Sequence, residues 1–213
     1  MYTGITRGTF EVTRVERKPG LLTYEVELSE ALADGLEPGA SVSIDGVCQT
    51  VVSRSGDRVS FDAIQETLDL TTLDSLEVGG TVAVERSTRV GDEIGGHDVA
   101  GHVIGTGEVT EVHHEGDVCD LRIRVPREWM NYIFKKGFIA VEGSSMTVGE
   151  IDPEGDFELH LIPETLRLTN LGKKAPGDRV NIELDARTVA IVDTVERVVE
   201  ERFAREQDAG SRS

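Results

Sequence analysis

Two cysteines in 213 residues, Cys48 and Cys119, are too few for a disulfide framework. In a chain long enough to bury its own core, both are expected as reduced thiols. Aromatic residues make up only 5%, so the core is expected to be built from small and β-branched side chains. No run approaches the roughly 18 apolar residues needed to cross a bilayer. The opening MYTGITRGTF also lacks a basic leader followed by an apolar stretch. No membrane association and a cytoplasmic location are therefore expected. Positive charge is scarce as well: 22 bases face 40 acids, a net charge of −18, and 17 of the bases are arginine against five lysines. Such a surface repels polyanions, which excludes nucleic acid as a partner. It suits a high-salt cytoplasm, where repulsion between carboxylates is screened at short range, or an ordinary acidic enzyme. No cluster of His, Cys, Asp or Glu has the spacing of a metal site, so no metal is expected.

What the chain does have is repetition. "IDGVCQTV" (44–51) returns as "VEGSSMTV" (141–148), with Glu142, Gly143, Ser145 and Thr147 standing where Asp45, Gly46, Cys48 and Thr50 stood. At the same offset of 97, "TGITRGTFEVTRV" (3–15) pairs with "AGHVIGTGEVTEV" (100–112). One residue further on, "ETLDLTTLDSLEVGGTVAVE" (66–85) pairs with "ETLRLTNLGKKAPGDRVNIE" (164–183). A near-constant offset across three blocks implies two copies of one unit. Each copy reads as short strands such as "TYEVEL", "SVSIDG", "RVSFDA" and "TVAVER", broken by Gly, Asp and Pro turns about every ten residues, the pattern of a small closed antiparallel barrel. The expected fold is all-β: two similar six-stranded antiparallel Greek-key barrels, plus a C-terminal α-helix. Within the barrels only one or two helical turns are expected, around "SEALADGL" and its weaker counterpart "PREWMNYIF". The glycines of "RVGDEIGGHDVAGH" make the join. Expected boundaries are 1–96 and 97–187 for the barrels, 188–205 for the helix and 206–213 for a disordered tail. The helix spaces Val192, Val195, Val198/Val199 and Phe203 by threes and fours. It has no counterpart after the first barrel, so its apolar stripe is expected to serve self-association, the alternative being packing on its own barrel.

Twin barrels imply twin pockets, and twin pockets favour a reaction between two identical molecules, oriented by the protein so that translational entropy is already spent. "MYTGI", "GVCQTV", "ETL", "GGH…AGH", "KKGFIAVEGSSMTV", "LIPETLRLTNLG" and "VNIELD", in that order, resemble the riboflavin synthase family of alpha-chain type up to about Arg202. The resemblance implies a cofactor-free transferase that dismutates two 6,7-dimethyl-8-ribityllumazine molecules. One passes a four-carbon unit to the other, giving riboflavin and 5-amino-6-ribitylaminouracil. It implies a homotrimer holding two lumazines per active site, formed between the first barrel of one subunit and the second of a neighbour. It carries no expectation of association with lumazine synthase. A non-catalytic lumazine or flavin carrier on the same scaffold is the alternative, which the retention of Cys48, His102, Ser145 and Asp185 disfavours.

By resemblance, the first pocket comprises Gly4, Ile5, Thr6, Cys48, Gln49, Thr50, Asp62, Ala63, Ile64, Gln65, Glu66 and Thr67. The second comprises Gly101, His102, Val103, Lys136, Ser145, Met146, Thr147, Leu161, Ile162, Pro163, Glu164, Thr165 and Leu166. Backbone amides of the two "ETL" segments are expected to hold the ring's polar edge. Catalytic roles fall to Cys48, His102, Ser145, Thr147 and Asp185. Histidine is the side-chain type suited to moving protons near neutrality, which makes His102 the expected proton carrier. Ser145 and Thr147 are expected to hydrogen-bond a developing anion or a water. Cys48 is open to polarising, adding to, or packing against a ring. This grouping sets His and Ser in one pocket against Ile and Cys in the other, an asymmetry suited to donor and acceptor roles. His97 reads as satisfying the linker, and Cys119 as core. Departures from the family pattern are Tyr2 for phenylalanine, whose hydroxyl needs a partner, Gln49 and Met146 for leucines, and a polar Ser144.

Overall fold

The computed structural model describes residues 1–152 and 154–210, with side chains up to 205. Strands β1 (Thr9–Lys18), β2 (Leu21–Glu27), β3 (Ser41–Ile44), β4 (Val47–Ser55), β5 (Arg58–Ile64) and β6 (Thr81–Arg86) close into one barrel in the order β1-β2-β5-β4-β3-β6. Strands β7 (Gly105–Glu115), β8 (Val118–Arg124), β9 (Phe138–Val141), β10 (Ser144–Ile151), β11 (Asp156–Leu161) and β12 (Arg179–Leu184) close a second. Every pairing is antiparallel. The two-residue period of a strand sends Val47, Gln49 and Val51 of β4 inward and leaves Cys48 and Thr50 facing out. Each barrel has its own core, one around Tyr24, Phe61, Ile44 and Leu73, the other around Phe157, Leu121, Ile139 and Leu171. Both thiols are free, and Cys119 is wholly buried in the second core.

The expected turn in "SEALADGL" is α1 (Glu30–Ala33), and its counterpart is a 3-10 segment, Arg127–Tyr132. Two further helices depart from the sequence expectation: α2 (Gln65–Leu70) and α3 (Pro163–Leu168), occupying the two "ETL" segments. At six residues each they are too short to register a 3.6-residue period, and no side chain caps their N-termini. Each ends alike: the hydroxyls of Thr71 and Thr169 donate back to the carbonyls of Thr67 and Thr165, both at 2.7 Å. The C-terminal helix α4 spans Ala186–Gly210, longer at both ends than the 188–205 expected. No helix breaker precedes Gly210, so residues 206–210 continue the helix; the rest of the expected tail, 211–213, lies outside the described residues. Among those described, no helix is long and apolar enough to cross a membrane.

The barrels meet through their equivalent turns. Asp45-Gly46 and Glu142-Gly143 are two-residue hairpin loops with positive φ throughout (46° and 85°; 50° and 78°). They touch tip to tip, since a Cβ on Gly46 would lie 2.5 Å from the Gly143 nitrogen. Around them Asp45 accepts from the Ala83 amide (2.7 Å) and the Asn170 side chain (2.9 Å), while Glu142 accepts from the Asn181 amide (2.7 Å) and lies 3.3 Å from Lys174.

Candidate active site

The segments that lead into the barrels, 1–8 and 97–104, pair with one another and then cross over. Tyr2 and Val99 exchange backbone bonds of 2.7 and 3.1 Å. The Gly4 carbonyl then accepts from the Ser145 amide of the second barrel (2.8 Å), and the Gly101 carbonyl accepts from the Cys48 amide of the first (2.9 Å). Both glycines are required. Their φ values are +72° and +79°, and a Cβ on either would lie 2.6 Å from the Cβ of Ser145 or Cys48.

Two cavities result. One, of about 260 Å³, is lined by Val47, Cys48, Glu66, Thr67, Leu70 and Thr71 of the first barrel, with Gly101, His102 and Val103 from the second lead segment. The other, of about 230 Å³, is lined by Ser144, Ser145, Met146, Ile162, Glu164, Thr165, Leu168 and Thr169, with Gly4, Ile5 and Thr6 from the first lead segment. All nine residues lining the first cavity have their equivalents in the second, which adds Met146 and Ile162, but the sets correct the sequence grouping: each lead segment serves the opposite barrel. A repeat establishes which residues correspond; it cannot distinguish pairing within a copy from pairing between copies. His102 therefore shares a pocket with Cys48, and Ile5 with Ser145, reversing the expected His/Ser and Ile/Cys combinations.

Strand alternation sorts the other expected site residues. Gln49 points into the first barrel, where its side chain accepts from the Tyr24 hydroxyl (3.2 Å); Ala63 and Leu161 are core residues. Thr50, Asp62 and Ile64 are exposed on the outward face shared with Cys48, and Asp62 accepts from Thr23 (2.6 Å). Gln65 turns away, bonding Asp69 (2.7 Å) and lining a separate polar cavity with Arg17, Lys18 and Arg179. In the second copy Thr147 and Lys136 are exposed on the outer face, Lys136 at φ 66°; Pro163 opens α3, and Leu166 packs on the core. Asp185 caps α4, accepting from the Thr188 amide (2.9 Å) and hydroxyl (2.8 Å). Burial raises its pKa, but those bonds outweigh it and hold the carboxyl below its ordinary range.

Several residues emerge only from the structure. His97 Nδ1 lies 2.6 Å from Ser145 Oγ, and its ring stacks on Phe138 at 5.1 Å. Burial holds its pKa below the ordinary imidazole value, against the pull of Asp185 and Asp98; in the tautomer protonated on Nε2, Nδ1 accepts from the Ser145 hydroxyl. Gly96 permits this approach, since a Cβ there would lie 2.6 Å from Ser145. The sequence held only a hint, the "GGH" before the second lead segment. The extra hydroxyl of Tyr2 finds its partner in Cys48 Sγ (3.2 Å), and Ser144 bonds Thr6 Oγ1 at 2.7 Å. Glu85 of β6 accepts from the Thr3 amide (2.8 Å) and hydroxyl (2.7 Å). Its counterpart Glu183 of β12 accepts from the amides of Ala100 (2.6 Å), Gly101 (2.9 Å) and His102 (3.1 Å). Burial pushes both carboxyls up, with these donors opposing.

The Lumazine binding domain family matches residues 3–87 and 100–185, one copy on each barrel. The chain is 48% identical over 203 residues to riboflavin synthase from Escherichia coli (strain K12), covering 95% of both chains. It is 39% identical over 199 residues to riboflavin synthase from Chlamydia pneumoniae, covering 93% of this chain and 97% of that one. The crystal structure of LumP complexed with riboflavin matches with a TM-score of 0.81 at 26% identity, over 87% of this chain and all of that one (100%). LumP complexed with 6,7-dimethyl-8-(1'-D-ribityl) lumazine matches with a TM-score of 0.79 at 25% identity, over 87% of this chain and 99% of that one.

Proposed function

The chain belongs to the lumazine-binding riboflavin synthase family, and from that premise we propose that its two cavities bring together two molecules of 6,7-dimethyl-8-ribityllumazine for four-carbon transfer. One lumazine gives up the unit and leaves as 5-amino-6-ribitylaminouracil; the other takes it up and becomes riboflavin. The two products together hold every atom of the two substrates, so neither oxidant nor reductant is consumed. The observation that carries this reading is the twin cavity. At about 260 and 230 Å³ each open cleft is of a size for one bicyclic substrate, which supports one molecule in each.

The residues divide the work unequally. In the first cavity His102 carries the proton, beside Cys48, whose sulfur accepts from Tyr2. In the second, Ser145 hands its hydroxyl proton toward His97, leaving its oxygen to act on the ring or on a water. Thr147 stands exposed two residues beyond Ser145 on the same strand, and Asp185 lines an adjoining cavity with His97 and Phe138. The amides of Glu66 and Thr67 in α2 and of Glu164 and Thr165 in α3, in the first turns, have no intrahelical acceptor and hold the ring's carbonyl edge. Thr50, Asp62, Ile64 and Lys136 track the ribityl chain across the outer face, while Ile162 lines the second cavity and Leu166 backs it from the core. Orientation supplies much of the rate, since placing two reactants correctly is worth up to roughly 7–11 kcal/mol.

The working enzyme in this reading is a homotrimer in a cytoplasm of high salt, its first cavity completed by the second cavity of a neighbour. Incubating the pure protein with 6,7-dimethyl-8-ribityllumazine tests the reading. Riboflavin absorbance that grows beyond one equivalent supports it; a stoichiometric spectral shift without turnover indicates a carrier and overturns it.

A further inference from the structure

Glu85 and Glu183 occupy equivalent positions on β6 and β12, at an offset of 98, and both are buried, at 5% and 6% exposure. Neither lines either of the two binding cavities, yet each grips the lead segment that lines one. Glu183 collects three consecutive amides, those of Ala100, Gly101 and His102, with both carboxylate oxygens. The same stretch presents the Gly101 carbonyl to Cys48 and places His102 and Val103 over the first barrel's cavity. Glu85 grips Thr3, whose hydroxyl in turn accepts from the Ile5 amide (3.3 Å), ahead of Gly4–Thr6 over the second barrel's cavity.

We propose that Glu85 and Glu183 are positioning residues acting crosswise, each seating the loop that completes the binding cavity of the barrel to which it does not belong. Glu183 of the second barrel governs the first cavity, and Glu85 of the first barrel governs the second. The proposal deepens the functional reading above and rests on its ligand assignment. Its physical basis is the strength of charge-assisted bonds to backbone amides, which lets one carboxylate order a three-residue stretch without side-chain anchors.

Cys48 makes the proposal testable in the whole protein, because it lies in the first cavity only and Cys119 is wholly buried. Its alkylation by iodoacetamide reports how firmly 101–103 cover the thiol, and protection by riboflavin reports occupancy of that cavity alone. In Glu183→Gln, ligand-free alkylation should accelerate and the riboflavin concentration for half-protection should rise, each by about tenfold, as expected for weakening bonds to a charged acceptor. In Glu85→Gln, the same change in the barrel that carries Cys48, both quantities should stay within about twofold of the unsubstituted protein while turnover falls. Equal responses of the two variants, or none in Glu183→Gln, overturn the crosswise role. If riboflavin fails to protect even the unsubstituted protein, the ligand assignment falls, and the ligand-free rates of the two variants still decide the positioning role. Should Glu183→Gln not fold, Glu183→Asp, charged but one methylene short of its amides, should reproduce the pattern at smaller size.

Discussion

At the residue scale, the two cavities differ in the partner each reactive side chain has. Cys48 Sγ accepts from a buried tyrosine whose own ionisation is suppressed by burial and by Cys48, while Ser145 Oγ shares a hydrogen bond with a histidine whose pKa is lowered chiefly by burial. Only unprotonated His97 can accept from Ser145. Since its pKa is depressed, the pair persists above the ordinary imidazole value of 6.5 and is lost as pH falls through a lower value. The acid limb of the turnover profile should therefore lie below pH 6.5 and disappear in His97→Gln, alongside a lower plateau, measured as riboflavin formed per second from pH 5 to 8. If orientation dominates and the thiol only packs, Cys48→Ser should retain turnover; a fall of about a hundredfold or more would instead assign Cys48 to the chemistry. Gly101→Ala tests the crossing itself. Left-handed backbone costs alanine about 1–2 kcal/mol, and the added methyl also meets Cys48 at 2.6 Å. A melting temperature several degrees lower, with riboflavin protection of Cys48 lost, is the expected outcome.

At the scale of elements, α4 leaves an apolar stripe exposed among its described side chains. Val189 packs on the second core and Tyr132 bonds Asp193 at 2.7 Å, which fixes the first turns. Between and beyond these anchors Ile191, Val195, Val198, Val199 and Phe203 are exposed at 64, 55, 56, 44 and 61%. A second copy of the same stripe offers matching burial, and symmetry makes such contacts close on themselves. If the protein is the homotrimer proposed above, Val195→Asp with Val198→Asp should convert it to monomers in light scattering. If the reacting pair forms across subunits, turnover should fall with it while each barrel still melts cooperatively. A monomeric yet fully active variant would rule that arrangement out. The short helices α2 and α3 show the other side of element formation: tertiary contacts and threonine end-bonds shape them, with little intrinsic propensity at six residues.

At the scale of the molecule, the inter-barrel knot and the surface charge both couple stability to pH and salt. Asp45 is buried against Glu142, and burial first, then Glu142, push its pKa well up, against the Ala83 amide, Lys174 and Asn170. A carboxyl raised on folding stabilises fully below its unfolded value and loses that contribution as pH rises through the folded one. The melting temperature should thus decline with rising pH, and less steeply in Asp45→Asn, which tolerates the φ of 46° and keeps the acceptor for Ala83. An identical slope in the variant would remove the knot as the source. With a net charge of −18, added KCl should raise the melting temperature of both proteins by screening.

Fold class and duplication were legible in the sequence because both are local or translational properties. Alternating side chains, glycine turns and a constant offset each survive in one dimension, and the pairing of Cys48 with Ser145 followed from the offset alone. The alternation also carried information against several expected contacts: Gln49, Ala63 and Leu161 sit at inward positions of their strands, and pocket membership assigned by proximity in sequence overlooked that. Tertiary structure alone decided which lead segment covers which cavity, and so that histidine stands with sulfur and isoleucine with the serine hydroxyl. It alone brought His97 to Ser145 and set Glu85 and Glu183 beneath the loops. The physical reason is that the two barrels are near copies. Every contact within a copy has an equally plausible twin between copies, and only packing in three dimensions, with two glycines pressed to within a bond's reach of the opposite strand, selects between them.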